Sequence, residues 1–572
     1  MISVHFNLNK YLYPTLCFST LILITLQHNS DNLQSEFKKG KQLKILVYSP
    51  SVSWSHAKFL GRIADTLVDA GHEVHFLKYI MSPELKLKNE TSKVDKIYII
   101  EPNIENAAQL DIKNIPMIAD SITSKRPLIT FLDHPVFQFD PLMATACRDI
   151  IKQRKLLRKL TQEHFDVGIT EMYDYTGVAV FHKIGIRTKI SAYALPLFGY
   201  ITSQFDIPNF PSFIPNLFAP LYVGFESSFI SRLINFYNHF LAWIWIDDVY
   251  FRTQYPIIKE AFGQDFPNVK ELVKNSSLVF INSNPFLETT RPISNKFIYI
   301  GGLANDQSEE NKKLDQRTQL ILDQATEGAV LFSFGSLTET TRIGKHMLDS
   351  IINSFKQFPQ IHFLWKVDKD TISNISKLPN VHAFEWLQQP AILAHPNLRA
   401  FITHCGQNSI TESAIAGIPI VGIPLFADQF YNADIAQKRG LGIQIDVNDL
   451  SGPNAENVLV EAIRSILYQP KYQQNAKIIS KKLKLTPFSP TERLVKWVEF
   501  AAEFGDLPEL NLPGEKEMNW FVYYSIDVIL FSIIVLVILF WVTFKCFKWI
   551  LFGIINFWFT KTEGKETKLK QG

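Results

Sequence analysis

Residues 384–432 read FEWLQQPAILAHPNLRAFITHCGQNSITESAIAGIPIVGIPLFADQFYN, and this stretch decides the fold. Leu398 to Thr403 is an apolar run of strand length, broken by His404-Cys405-Gly406. A helical pattern follows through Ser409, Glu412 and Ile415. A second apolar run, Pro419 to Gly422, ends at Pro424 ahead of the polar pair Asp428-Gln429. Strand, glycine-containing turn, helix and strand form the unit in which an anion rests on backbone N–H groups at a helix N-terminus, with the helix dipole behind it.

Upstream, Ala329 to Phe334, the turn Gly335-Ser336 and the strand-like His362 to Val367 begin the same α/β half. A second such half precedes it. Leu43 to Tyr48 (LKILVY) ends at Ser49-Pro50, a helical face carries Phe59, Leu60, Ile63, Leu67 and Val68, Gly71 closes the helix, and Val74 to Leu77 starts another strand. This β-α-β opening belongs to a doubly wound α/β domain. It lacks a G-x-G-x-x-G turn, so a dinucleotide site is not supported. Phe165 to Thr170 reads as a strand ending at Glu171, and Leu278 to Asn282 and Phe297 to Ile300 close the half. Gly301-Gly302 and the polar run Asn305 to Arg317 then read as a linker. The domains are accordingly 42–304, a linker 305–325, and 326–487, with a return helix and link over 488–516 in which Leu494, Trp497, Val498 and Ala501 share one face.

His56 follows the first strand and Glu171 ends a later one, which puts both on the carboxyl edge where open α/β sheets bind ligands. Together they can form a general-base dyad in which the carboxylate sets the imidazole tautomer. The competing reading of His56 is a helix cap. Between the halves, Pro208, Pro211, Pro215 and Pro220 precede the aromatic stretch Phe229 to Ile246. That stretch reads as a buried helix, the wall of an apolar pocket, or a surface leaning on a membrane. Asp368-Lys369-Asp370 offers a D-x-D for a divalent metal, or merely a solvated turn.

At 572 residues the chain holds two domains plus attachments, and 47% hydrophobic with 20% charged residues suits a globular body with membrane-facing sequence. A formal charge of +3 without a basic stripe argues against nucleic acid. Lys10 and the apolar Tyr11 to Leu26 read as a signal peptide over 1–28, or else as an uncleaved anchor. Val528 to Phe544 carries no charge, with Trp520, Tyr523 and Tyr524 before it and Trp541 near its other end, so 520–544 is expected to span a membrane. Trp549 to Phe559 either lies in the interface or lengthens the span. Lys545, Lys548, Lys561, Lys565, Lys568 and Lys570 make 545–572 a cytosolic tail by the positive-inside rule, leaving the body lumenal. Lys568 and Lys570 resemble an endoplasmic-reticulum retrieval signal; a solvated basic tail is the alternative. Sequons at Asn89, Asn275 and Asn374 are compatible with a lumenal glycoprotein, although Asn275 runs straight into a strand. Cys147 and Cys405 in the body make no disulfide framework and no zinc spacing.

The side chains of residues 384–432 suit a sugar nucleotide. Trp386 can stack on a base. The N–H groups of Gly406 to Ser409 can take a diphosphate, with His404 as a further donor. Glu412 can accept from a ribose diol, and Asp428-Gln429 can bind sugar hydroxyls. Each alone has a structural explanation; their order within one stretch does not.

The chain here resembles the UDP-glycosyltransferase family, in its animal membrane-bound, UDP-glucuronosyltransferase-like branch. The matching residues are Trp386-Leu387-Gln388-Gln389, Leu393-Ala394-His395-Pro396, Phe401 through Ser409, Glu412, Gly417-Ile418-Pro419, and Asp428-Gln429 with Asn432-Ala433; the Ser333 to Ser336 turn adds to them. The resemblance implies a GT-B fold, with two Rossmann-like domains facing a cleft and a C-terminal transmembrane helix. It implies His56 as base and Glu171 as its partner. Donor binding falls to Ser336, Trp386, Gln389, His404, Gly406, Asn408, Ser409, Glu412, Asp428 and Gln429. The reaction expected is inverting, metal-independent transfer of a hexose or hexuronic acid from a UDP-sugar to a small lipophilic hydroxyl, with no cofactor, since the UDP-sugar is a co-substrate. Partners are the UDP-sugar, the acceptor and the membrane, with homo- or hetero-oligomerisation left open. The site is the endoplasmic reticulum and the role detoxification. A non-catalytic lumenal lipophile-binding protein on the same fold is the alternative. Three positions depart from the family pattern. Glu171 stands where Asp is frequent, Gln388 replaces the motif proline, and Cys405 replaces the glycine usual in animal members.

Overall fold

The computed structural model describes residues 41–81, 85–103, 112–122, 135–216, 227–246, 248–303, 313–375, 378–512 and 518–569. The expected signal segment and Lys570 lie outside them. The chain divides into two compact units, 1–511 and 512–572.

In the first unit, β1 (Lys44–Ser49), β2 (Glu73–Tyr79), β3 (Lys96–Ile100), β4 (Val167–Glu171), β5 (Thr188–Tyr193), β6 (Leu278–Ile281) and β7 (Phe297–Tyr299) form a parallel sheet in the order β3-β2-β1-β4-β5-β6-β7. A second parallel sheet joins β8 (Ala329–Ser333), β9 (His362–Lys366), β10 (Val381–Phe384), β11 (Leu398–Thr403), β12 (Ile420–Gly422) and β13 (Gly442–Gln444) in the order β10-β9-β8-β11-β12-β13. Both are doubly wound, and their strand order reverses beside β1 and β8. Ligand crevices form at such switch points. Central strands such as LVFI in β6 and AVLFS in β8 are buried along their whole length, as expected where both faces of a sheet are covered.

Helix α1 (Trp54–Asp69) follows β1 and buries Phe59, Leu60, Ile63 and Leu67 against the first sheet. Helix α2 (Phe229–Leu241), continued by a π-turn over Ala242–Ile246, is not the buried helix its composition allowed. Phe229 is 67% exposed, Phe236 51% and Trp243 59%, whereas Asn235 and Asn238 are the buried residues. Its polar side faces inward because Asn235 donates to the carbonyls of Pro211 and Ile214 in the proline-rich loop.

The linker expected to run to residue 325 ends earlier. Helix α3 (Gln316–Gln324) is capped by Asp315, and its Ile321 and Leu322 join the second core with Ala325. Later come α4 (Gln407–Ala416) and α5 (Gln429–Lys438), then α6 (Pro490–Phe504). The face of α6 read from the sequence is the one used: Leu494, Val498 and Ala501 enter the core of the first sheet. Strands β3, β5, β10 and β13 were not expected. β10 and β13 are short edge strands, β3 leaves Ile97 and Ile99 exposed, and β5 (TKISAY) mixes polar residues into its run. None offers a clean apolar period.

In the second unit, helix α7 (Ile526–Leu569) runs past the expected end at Phe544, because Lys545 and Lys548 are good helix formers and no proline intervenes. Trp549 onward therefore lengthens the helix. Ile526–Trp558 is long and apolar enough to cross a membrane.

Candidate active site

β1 and β4 are hydrogen-bonded neighbours, so the loop after one and the last residue of the other meet at the same sheet edge. His56, in the first turn of α1, places Nδ1 2.5 Å from Glu171 Oε1, and both residues are buried. With Nδ1–H donating to the carboxylate, Nε2 is left as the basic nitrogen. The ring of Tyr173 meets the imidazole edge-on, 4.9 Å between centroids. Glu171 Oε1 also accepts from the Ala194 N–H at 3.2 Å, while Oε2 is buried without a hydrogen-bond partner among the described residues. Burial alone would depress the His56 pKa. The adjacent Glu171 carboxylate outweighs it, with Asp428 from the other half adding to the effect, and the net shift is upward.

The second half carries the expected anion site. β11 ends at Thr403, Cys405 takes a left-handed φ of 64°, and Gly406 opens α4. A non-glycine residue in that region costs roughly 1–2 kcal/mol. The buried Cys405 thiol packs on Gly422, and burial pushes its pKa up, so it is not a reactive group. The His404 imidazole is wedged between two glycines. A Cβ on Gly335 would lie 2.5 Å from its Nε2, and one on Gly406 2.7 Å. Burial, then the Lys366 ammonium, lower His404 to about 4, so it is neutral at physiological pH.

Gln389 Nε2 donates to Glu412 Oε2 at 2.7 Å and to Ser409 Oγ at 3.2 Å, joining three expected donor-site residues. Burial raises the Glu412 pKa against the charge of Arg62 on α1. A narrow crevice between the halves is lined by Arg62 and Asn282 on one side and by Asn408 and Glu412 on the other. Asp428 precedes α5 and accepts from Asn432 Nδ2 at 2.7 Å. Its burial raises it to about 6, against the opposing effects of His56 and of the Gln407 N–H of α4. Asp428 thus sits against the start of α4 and within electrostatic reach of His56. Gln429 turns its Oε1 to the N–H groups of Leu425 and Phe426, shaping the loop before it.

Trp386 is 54% exposed, with Lys366 Nζ 5.8 Å from its ring centroid. Lys366 also donates to the carbonyl of Gly335 beside the half-buried Ser336. Gln388 leaves its Oε1 buried and without a partner among the described residues. Asp368 is occupied by Thr340, whose hydroxyl donates at 2.9 Å and backbone N–H at 2.5 Å, so this member of the D-x-D holds a loop. Sequence reasoning passed over Arg62, Asn282 and Lys366, which border the expected donor residues. Asn282 was within its reach: a polar residue ending an apolar strand is the signal that picked out Glu171.

Two doubly wound halves, one bringing a buried histidine–carboxylate pair and the other a helix N-terminus, define a GT-B glycosyltransferase. The family model described as "UDP-glucoronosyl and UDP-glucosyl transferase" matches residues 43–559, and the chain belongs to that family. It is 32% identical to the Caenorhabditis elegans UDP-glucuronosyltransferase-family protein ugt-48, over 87% of this chain and 93% of that one. It is 28% identical to UDP-glucuronosyltransferase 2B17 of Rattus norvegicus, over 90% and 94%. The fold is shared with a UDP-glucose: anthocyanidin 3-O-glucosyltransferase solved with UDP (TM-score 0.53, 14% identity, 81% of this chain and 100% of that chain). The kitacinnamycin glycosyltransferase is similar (TM-score 0.53, 16% identity, 83% and 100%). The protein is a UDP-glycosyltransferase, which takes its sugar from a UDP-sugar; the non-catalytic alternative is not favoured.

Proposed function

We propose that this enzyme transfers a hexose or hexuronic acid, with inversion and without a metal, to the hydroxyl of a small lipophilic acceptor. The observation that carries this reading is the buried 2.5 Å contact between His56 and Glu171, with Asp428 of the donor half beside it. His56 Nε2 removes the acceptor proton as the hydroxyl oxygen bonds to the anomeric carbon. The bond from that carbon to the diphosphate oxygen breaks, UDP departs, and Glu171 stabilises the imidazolium. Charge building on the diphosphate is met by the N-terminus of α4 and by neutral His404 as a donor. A single displacement of this kind inverts the anomeric carbon. The lipophilic acceptor is supported by Tyr173 against His56, by Phe139 at 6.5 Å from Tyr173, and by the exposed aromatic face of α2. That face suits an apolar acceptor wall or a membrane-leaning surface. Helix α7 and its lysines support a single-pass endoplasmic-reticulum protein with a lumenal body and a short cytosolic tail.

The direct test is transfer from UDP-glucose and UDP-glucuronate to a panel of phenols and steroids, with product configuration read by NMR and a chelator present. Inverted product at undiminished rate is expected. Retained configuration, or activity lost to chelator and restored by magnesium, defeats the reading.

The base must be neutral to act, so kcat/KM should rise with pH and reach half its plateau above 6.5, since the His56 pKa is raised. Glu171→Gln removes the charge that raises it and leaves burial dominant. The midpoint should move to lower pH as the plateau falls. An unmoved midpoint in a pH–rate profile would separate Glu171 from the base.

A further inference from the structure

We propose that the segment leaving β6, Asn282 to Arg291, is a positioning element that holds the base dyad and the donor site in register. This rests on the dyad-and-donor reading above and adds residues that neither the family motif nor the expected mechanism assigns.

The segment grips the second half at two places. Asn282 is buried, and its Nδ2 donates to the carbonyl of Ala194 and to Asn408 Oδ1, both at 3.0 Å. A carbonyl can only accept, so the Ala194 contact identifies the nitrogen end of this amide. Ala194 is also the residue whose N–H donates to Glu171 Oε1. A continuous path therefore runs from the dyad carboxylate, through the backbone of one residue, Ala194, and one side-chain amide, to the first turn of α4.

The second grip is on α5, two residues beyond Gln429. Tyr431 donates its hydroxyl to Glu288 Oε2 at 2.5 Å and accepts from the Thr289 N–H at 2.8 Å and from Arg291 Nη2 at 3.3 Å. One donor and two acceptor sites of the phenol are thereby filled. The other oxygen of Glu288 accepts from the Leu197 N–H at 2.9 Å, in the loop after β5, and its backbone carbonyl accepts from Arg439 at 3.0 Å. Glu288, Arg291 and Tyr431 are all buried. Displacing one half against the other would leave several buried polar groups unpaired, which makes the register stiff.

The grips fall where reaction geometry is set. Asn408 lies between Gly406 and Ser409, and Tyr431 lies in the first turn of the helix that Asp428 opens. On the other side the contacts are to the loop after β5, which also holds Glu171. Transfer requires the acceptor oxygen held by His56 to stand in line with the sugar carbon, and a misplacement of ~1 Å can cost about 10²-fold in rate.

The experiment compares the full-length membrane protein with its Asn282→Ala and Tyr431→Phe variants, neither of which removes a group assigned to donor or acceptor. Turnover is measured under donor saturation, UDP binding by calorimetry, and unfolding by thermal melt. Each variant is expected to lose about 10- to 100-fold in kcat while UDP affinity stays near wild type and the melting temperature falls only by a few degrees, the cost of the polar groups left unpaired, because each half keeps its own fold and site. A kcat unchanged in both variants, or a loss matched by equal loss of UDP affinity or by a collapsed melting temperature, overturns the proposal. His56→Ala run in parallel separates the two levels. If it retains turnover the dyad reading fails; if it is inactive while Asn282→Ala and Tyr431→Phe are unaffected, only this proposal fails.

Discussion

His56→Ala is expected to lower kcat by about 10²- to 10⁴-fold, the range by which a positioned general base accelerates proton transfer. The imidazole is the only basic side chain that Glu171 contacts among the described residues, and the short Nδ1 contact pre-aims Nε2 before any acceptor arrives. UDP affinity should hardly change, because the residues expected to bind UDP lie in the second half, on α4 and the loops around it. Removing the ring leaves Glu171 buried beside a void, with the Ala194 N–H as a remaining donor, so some loss of stability should accompany the kinetic effect. The decisive comparison is kcat against the UDP dissociation constant. If turnover falls only in proportion to UDP affinity, His56 is a binding residue and the base lies elsewhere.

Breaking the Lys78–Glu90 pair should have the largest effect on stability. Lys78 on β2 donates to both Glu90 oxygens, at 2.7 and 2.8 Å, and to the carbonyls of Leu85 and Lys88, at 3.2 and 3.1 Å. Both side chains are almost fully buried. Glu90→Ala should therefore cost about 3–5 kcal/mol, since it strands a charge in the interior. Replacing both residues by apolar side chains of similar volume should recover most of the loss. The pair matters to the site because the Glu90 segment lies directly on α1. A Cβ on Gly61 would stand 2.0 Å from the Glu90 carbonyl oxygen, and Asp65 accepts from the backbone N–H of Ser92 at 3.0 Å and of Lys93 at 3.1 Å. A loosened segment should let α1 shift, carrying His56 with it. Denaturant unfolding of the solubilised protein measures the cost. A Glu90→Ala variant as stable as wild type would mean that water or a rearranged loop satisfies Lys78.

Much of the architecture was readable before any coordinates. Buried parallel strands are short unbroken apolar runs, so β1, β4, β6, β8, β9 and β11 stand out, and His56 and Glu171 are recognisable because polar residues follow such runs. The faces of α1 and α6 follow from their helical period. What failed to show was either weakly patterned or misleading in composition. The edge strands carry little periodicity, the polar run before α3 hides a capped helix, and α2 turns its asparagines inward and its aromatics out.

By itself, then, the sequence determined the strongly patterned elements, the family and the chemical identity of the candidate site residues, because these depend on spacing within a few turns or one motif. Only the tertiary structure decided which of those residues meet. His56 and Glu171 are 115 positions apart, Asn282 and Asn408 126, and Glu288 and Tyr431 143. No local pattern encodes such pairs: they are chosen by which strands neighbour one another within a sheet, by how the two halves pack, and by the cost of leaving a buried carboxylate, amide or phenol without a partner.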